Sequence, residues 1–180
     1  MNDDTLYRYA GSAAEDLLVA QLWAQMQRDG TLLAAFNDED FTLGDLIDLF
    51  SAPNTMFYKV DKSGIWFVVW LSPVMGGAFL STYLRPDYRG EIAGHDARET
   101  YHSAAREIME QAFGSYRVLL VVTQQEWLLP NIKRLGYTVL GKIPFLFYGN
   151  DAWVGYMTPE SLRERMHGRS SREDRDLGAA

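Results

Sequence analysis

The feature that most constrains this chain is a stripe of apolar residues at helical spacing. Ala97, Tyr101, Ala104, Ala105, Ile108, Met109, Ala112 and Phe113 advance by 4, 3, 1, 3, 1, 3 and 1. Those steps keep one face of a 3.6-residue helix apolar, so the helix must lie against a core. Gly114 supplies its stop. Upstream, an extended segment over 78–84 leads through Arg89-Gly90-Glu91-Ile92-Ala93-Gly94 directly into that helix. A helix start presents unpaired N–H groups and positive potential. Strand, glycine-containing turn and long helix in that order form an anion-binding layout.

The rest of the chain divides by pattern. Ser12 and Glu15 spell a capping box for a helix whose face carries Ala14, Leu17, Leu18, Leu22 and Met26, and Gly30 ends it. Thr42 caps a shorter helix with Leu43, Leu46, Ile47 and Phe50 apolar. Then strands take over. Thr55–Val60 is short and aromatic. Ile65–Leu71 (IWFVVWL) has no polar alternation, which predicts a strand covered on both faces. With turns at 61–64 and at Pro73 and Gly76-Gly77, Ala78–Leu84 completes an antiparallel meander. After the long helix come a buried strand over 116–122 and a helical piece around Pro130 that Gly136 ends. A hairpin follows, Thr138–Tyr148 and Ala152–Met157, turning on Gly149-Asn150. Thr158-Pro159 starts a last helix. The expected class is therefore α/β (mixed α+β), with one central, mostly antiparallel sheet and helices on both faces. A single domain is expected over 1–166, with a disordered polar tail over 167–180.

Composition narrows the function. The chain has 180 residues, 47% of them apolar, which is enough for a substantial core. There is no cysteine, which excludes disulfides, a thiol nucleophile and thiolate metal sites. The opening MNDDTLYRYAG is acidic and does not read as a signal peptide, no apolar run spans a bilayer, and the expected location is the cytoplasm. A net charge of −7 argues against nucleic acid, whose phosphates need a concentrated basic surface. The histidines at 95, 102 and 167 lack ligand spacing, so no metal site is expected, and His102, off the stripe, is expected to be solvated.

Arg89 through Gly94 resembles the pyrophosphate loop of the GNAT acyl-CoA N-acyltransferases, whose pattern is Q/R-x-x-G-x-G/A. Arg89 and Gly94 match it, and Ile92 stands at the middle glycine. Leu135-Gly136-Tyr137 followed by Gly141 is similar to a second motif of that family, and the order of elements over 55–157 is the family's order. The resemblance implies acetyl-CoA or another acyl-CoA as cosubstrate. Its residues would lie along Leu84, Arg89, Gly90, Glu91, Ile92, Ala93, Gly94 and His95, with Gln125 or Asn131 in the second motif. It implies a small-molecule or peptide amine as acceptor, with a homodimer common in the family. At Ile92 the β-branched side chain either displaces the ligand outward or packs into the core.

Acyl transfer to an amine needs a base for the amine, polarisation of the thioester carbonyl and a proton for the leaving thiolate. The strand before the loop has no carboxylate. Ile132 stands where the family carries its tyrosine acid, which leaves Tyr83 and Tyr137 as candidate catalytic residues, with Tyr88 and His95 nearby in sequence. Backbone polarisation near Leu84 needs no side chain. Two functions are consistent with this pattern. One is an N-acetyltransferase working by direct attack. The other is a non-catalytic GNAT-like binding or assembly domain, which some phage-encoded relatives resemble.

Overall fold

The capping box at Ser12 forms. Glu15 N–H donates to Ser12 Oγ at 3.3 Å and Ser12 N–H to Glu15 Oε2 at 3.0 Å, opening α1 (Ala13–Arg28). The computed structural model describes residues 5–36, 38–52, 56–89, 94–147 and 149–165. After α1 come α2 (Thr31–Phe36), α3 (Leu43–Ser51), β1 (Met56–Asp61), β2 (Gly64–Val74), β3 (Gly77–Leu84), α4 (Gly94–Ala112), β4 (Val118–Thr123), α5 (Leu129–Leu135), β5 (Thr138–Phe147) and β6 (Asn150–Met157). Residues 159–165 are helical again. The strands hydrogen-bond in the order β1-β2-β3-β4-β6-β5. β3 runs parallel to β4, while the β1–β2, β4–β6 and β5–β6 pairs are antiparallel. The mixed, mostly antiparallel sheet read from the sequence is thus the observed one. No helix among the described residues is long and apolar enough to cross a membrane.

By packing, the chain forms two compact units interleaved in sequence. The first is Met1–Ser72 with Leu80–Ile108, and the second is Pro73–Phe79 with Met109–Ala180. In the first unit both faces of the β1–β2 pair are covered, because successive strand residues point to opposite sides. Met56, Tyr58, Val60, Ile65 and Val68 pack with Val19, Leu22, Met26, Leu46 and Phe50 of α1 and α3. On the other face Phe67, fully buried, meets the ring of Tyr101 on α4 edge-on at 5.3 Å. Beside it the buried Lys59 ammonium pairs with Glu107 at 2.7 Å.

Two helix faces differ from the expectation. His102 is buried, not solvated, with 3% exposure. It lies three and seven residues before Ala105 and Met109, so the buried stripe of α4 is one column wider than its apolar residues alone define. On α1 the buried set is Val19, Leu22 and Met26, while Leu17 is 61% exposed. The helix α2 had no signal beyond Gly30. Its Phe36 stacks on Phe41 at 3.9 Å and on Trp70 at 5.4 Å, so tertiary packing holds it.

In the second unit Leu119, Ile132, Tyr137, Ala152, Met157 and Leu162 are buried. Thr158 caps the last helical segment by accepting from Ser161 N–H at 3.3 Å. Two turns fall elsewhere than the sequence suggested. Pro73 belongs to β2, where it is exposed, and the turn is Met75-Gly76, both at positive φ. Asn150 belongs to β6 and pairs with Phe147, so the hairpin turns one residue earlier, with Gly149 at φ 76°. The expected tail over 167–180 lies outside the described residues.

The parallel β3–β4 ladder is registered as Gly77↔Val118, Ala78↔Leu119 and Phe79↔Leu120. Gly77 is required by a close approach: a Cβ there would stand 2.8 Å from the Val118 carbonyl oxygen. Gly77→Ala should therefore cost about 1–3 kcal/mol through forced backbone displacement. Urea unfolding checks this, and an unchanged midpoint would show that the ladder yields freely.

Candidate functional site

The end of β3 delivers Tyr83, Leu84 and Arg85 to a 3-10 turn over Pro86–Tyr88, and Arg89 follows. Gly90, Glu91, Ile92 and Ala93 lie outside the described residues, so the expectations placed on them do too. Gly94 opens α4 at φ 67° with nothing within 4 Å of where a Cβ would sit. His95 is exposed, and its Nδ1 lies 3.7 Å from Asp96 Oδ1. The first turn of a 19-residue helix therefore faces solvent immediately after the loop.

Two arginines precede that loop, and both turn onto carboxylates. Arg85 is buried, with 9% exposure. Its Nε and one terminal nitrogen donate to Asp87 at 2.7 and 2.9 Å, and both terminal nitrogens reach Asp61, one at 3.1 Å. This is a double fork of the kind only a guanidinium supplies. Tyr88 donates to the same Asp61 at 3.2 Å and stacks on Trp66 at 4.4 Å. Burial alone would raise the Asp61 carboxyl. The Arg85 hydrogen bonds and charge outweigh it and hold Asp61 below the ordinary carboxylate value. Arg85 itself is held above its usual value, because those two carboxylates outweigh its burial.

The second arginine lies over a buried tyrosine. Tyr83 is 3% exposed and donates to Asp29 Oδ2 at 3.0 Å. Arg89 sets its guanidinium 5.5 Å from the Tyr83 ring centroid, donates Nε to the Leu84 carbonyl, and brings a terminal nitrogen to 3.8 Å from Asp29 Oδ2. Burial, then the Asp29 hydrogen bond and charge, push the Tyr83 hydroxyl well above the ordinary phenol value. A tyrosine so placed holds its proton firmly and is a poor acid toward a departing thiolate. Asp29 also accepts from Thr31 N–H at 3.1 Å, so its carboxylate is fully engaged.

The structure thus brings Tyr83, Leu84 and Arg89 together and sets Gly94 and His95 just beyond the loop. Gln125, exposed, Asn131, half-buried, and Tyr137, 5% exposed, lie in the second unit. Sequence reading missed Asp29, Asp61 and Asp87. Asp29-Gly30 reads as a helix stop and Asp61 as a hairpin turn, and nothing in their spacing points to arginines 24 and 60 residues away. The backbone at the strand end is informative as well. Arg85 N–H donates to the Trp66 carbonyl at 2.9 Å, on the β2 side. Donors alternate along a strand, so the Leu84 N–H points away from β2.

No family model matches the chain, and no curated protein matches it. Solved structures match it in fold. A ribosomal-protein-S5-alanine acetyltransferase from Vibrio fischeri is 13% identical with a TM-score of 0.64, over 85% of this chain and 91% of that one. Aminoglycoside 6'-acetyltransferase type Ii is 12% identical with a TM-score of 0.63, over 86% and 96%. An acetyl transferase from Salmonella typhimurium that modifies the N-terminal serine of 50S ribosomal subunit protein L7/L12 is 14% identical with a TM-score of 0.58, over 82% and 92%. The fold of this chain is that of the GNAT acetyltransferases, as the resemblance in its sequence implied.

The Arg85 knot has a measurable acid signature. Asp61 binds its proton more weakly in the folded chain than in the unfolded one, whose carboxylates titrate near pH ~4. Its contribution is therefore present above that pH and is lost as pH falls below it. Arg85→Met should lower stability at neutral pH by about 3 kcal/mol, the low end for a broken buried pair because Asp87 is largely in water. It should also flatten the acid limb. Thermal midpoints from about pH 6 down to pH 3 check this, and parallel curves for both proteins would deny Asp61 the role.

Proposed function

We propose that this chain is an acyl-CoA-dependent N-acyltransferase that takes acetyl-CoA or a related thioester and acylates an amine by direct attack. The observation that carries the reading is the run from β3 through a turn to the exposed start of α4, on a sheet with the GNAT strand order. In this reading the pyrophosphate lies against Gly90–Gly94 and His95, where backbone N–H groups and the helix dipole supply the attraction. The Leu84 N–H, directed away from β2, polarises the thioester carbonyl. The amine nitrogen forms the new C–N bond, the C–S bond breaks, and the nitrogen's proton leaves as the thiolate gains one. Tyr83 holds its proton too firmly for that exchange, so water and the thiolate carry it, and positioning supplies most of the rate. Tyr137, Gln125 and Asn131 remain candidates on the second motif.

The acceptor class follows from charge. The chain is acidic, at −7, and a cationic amine is drawn to it. The named neighbours act on a ribosomal protein's alanine, an aminoglycoside and an N-terminal serine. This reading takes from them only the class, an amine on a peptide or a small molecule, met in the cytoplasm. One observation favours the second reading, a non-catalytic binding or assembly domain: both arginines before the loop are spent on Asp29, Asp61 and Asp87.

Thermal unfolding with saturating acetyl-CoA, for wild type and Ile92→Gly, separates the two. A ligand at about 100 times its dissociation constant stabilises by roughly 2.7 kcal/mol. At this length that raises the midpoint by roughly 5–10 °C. The expected result is a rise of that size in the wild type and at least as large in the variant. A rise in the variant alone would mean that Ile92 closes a loop otherwise competent for CoA. No rise in either would leave the non-catalytic reading.

A further inference from the structure

We propose that Arg89 is a strut, not a phosphate ligand, and that Asp29 is the positioning residue that holds it. The inference rests on the acyltransferase reading above. Arg89 is the first residue of the loop pattern, the position from which a guanidinium could reach a phosphate. Among the described residues its partners come from three places. Nε donates to the Leu84 carbonyl at the end of β3, one face lies over the Tyr83 ring, and the far end meets Asp29 in the turn between α1 and α2. Its side chain keeps only 35% exposure. Asp29 is itself fixed from both sides. Thr31 donates to Oδ1 at 3.1 Å and Tyr83 to Oδ2 at 3.0 Å, and its side chain is 10% exposed. A carboxylate so held is a rigid anchor for the arginine. The consequence is mechanical. Arg89 is tied to a helix turn 60 positions earlier, so the end of β3 from which the loop departs is fixed before any ligand arrives. Pre-organisation of this kind raises affinity without touching the ligand.

The test is calorimetric titration of acetyl-CoA into wild type, Asp29→Asn, Arg89→Lys and the double variant, with thermal unfolding of each. Asparagine keeps the shape and removes the charge. Lysine keeps a charge for phosphate but cannot span the Leu84 carbonyl and Asp29 while stacking on Tyr83. Each single variant is expected to weaken binding about tenfold, and the double variant no more than either, because one strut is removed in all three. A general loss of stability would lower the melting midpoints and leave the dissociation constants unchanged, which overturns the proposal. Tighter binding by Asp29→Asn also overturns it, since Arg89 would then be a phosphate ligand that Asp29 holds back. Undiminished binding by Arg89→Lys overturns it even where Asp29→Asn does not fold. Absence of binding by the wild type itself sinks the acyltransferase reading and the strut with it. Wild-type binding with unaffected variants sinks the strut alone.

Discussion

The first unit depends on β2 being buried on both faces. A strand with no polar alternation cannot leave either side in water, so each side must be covered by something apolar. The helices α1 and α3 cover one side and α4 the other. Once α4 is required against Phe67, and β3 is required beside β2, the chain between them has little freedom. It must leave the strand end, cross over, and start a helix within a few residues. The placing of a helix start soon after the strand end is thus a by-product of covering a hydrophobic strand.

Charge is arranged against that background in an economical way. The chain is acidic, and its two arginines before the loop are each matched to carboxylates inside the same unit. Buried guanidinium groups need such partners, because an unpaired one would carry a large desolvation cost. Buried Arg85 thus meets Asp61 of β1, and Arg89, at 35% exposure, lies 3.8 Å from Asp29 in the turn after α1. The positive potential at the start of α4 comes from its backbone N–H groups, which need no side chain.

Much of this was legible in the sequence. The capping box at Ser12, the cap at Thr42, the unalternating strand, the stripe of α4 and the order of elements all rest on local patterns, and local patterns read well. The misreadings share a cause as well. His102 was expected in water because it is polar, yet a neighbouring column of the same helix faced the core. Pro73 and Asn150 were placed in turns by composition, while register decided which residues turned. Leu17 was counted into a face that Val19 occupies. In the candidate site, Tyr83, Leu84 and Arg89 lie against one another at the end of β3. Their roles were not legible, because the residue that sets them, Asp29, lies far off in sequence and looks like a simple helix stop.

The interleaving of the two units bears on how the chain is made. The first unit closes only when residues 80–108 have joined the N-terminal 72. Residues 73–79, synthesised in between, belong to the second unit, whose other residues begin at position 109. A chain emerging from the ribosome therefore completes the part that bears Asp29, Tyr83, Arg89 and the start of α4 first. It does so while carrying a seven-residue segment, with Gly77 near its end, that is still waiting for β4. Domains generally fold as units in order of synthesis. Here the order leaves the β4-facing edge of Gly77–Phe79, whose other edge belongs to β2, open in the nascent chain for as long as translation takes to reach Val118–Leu120.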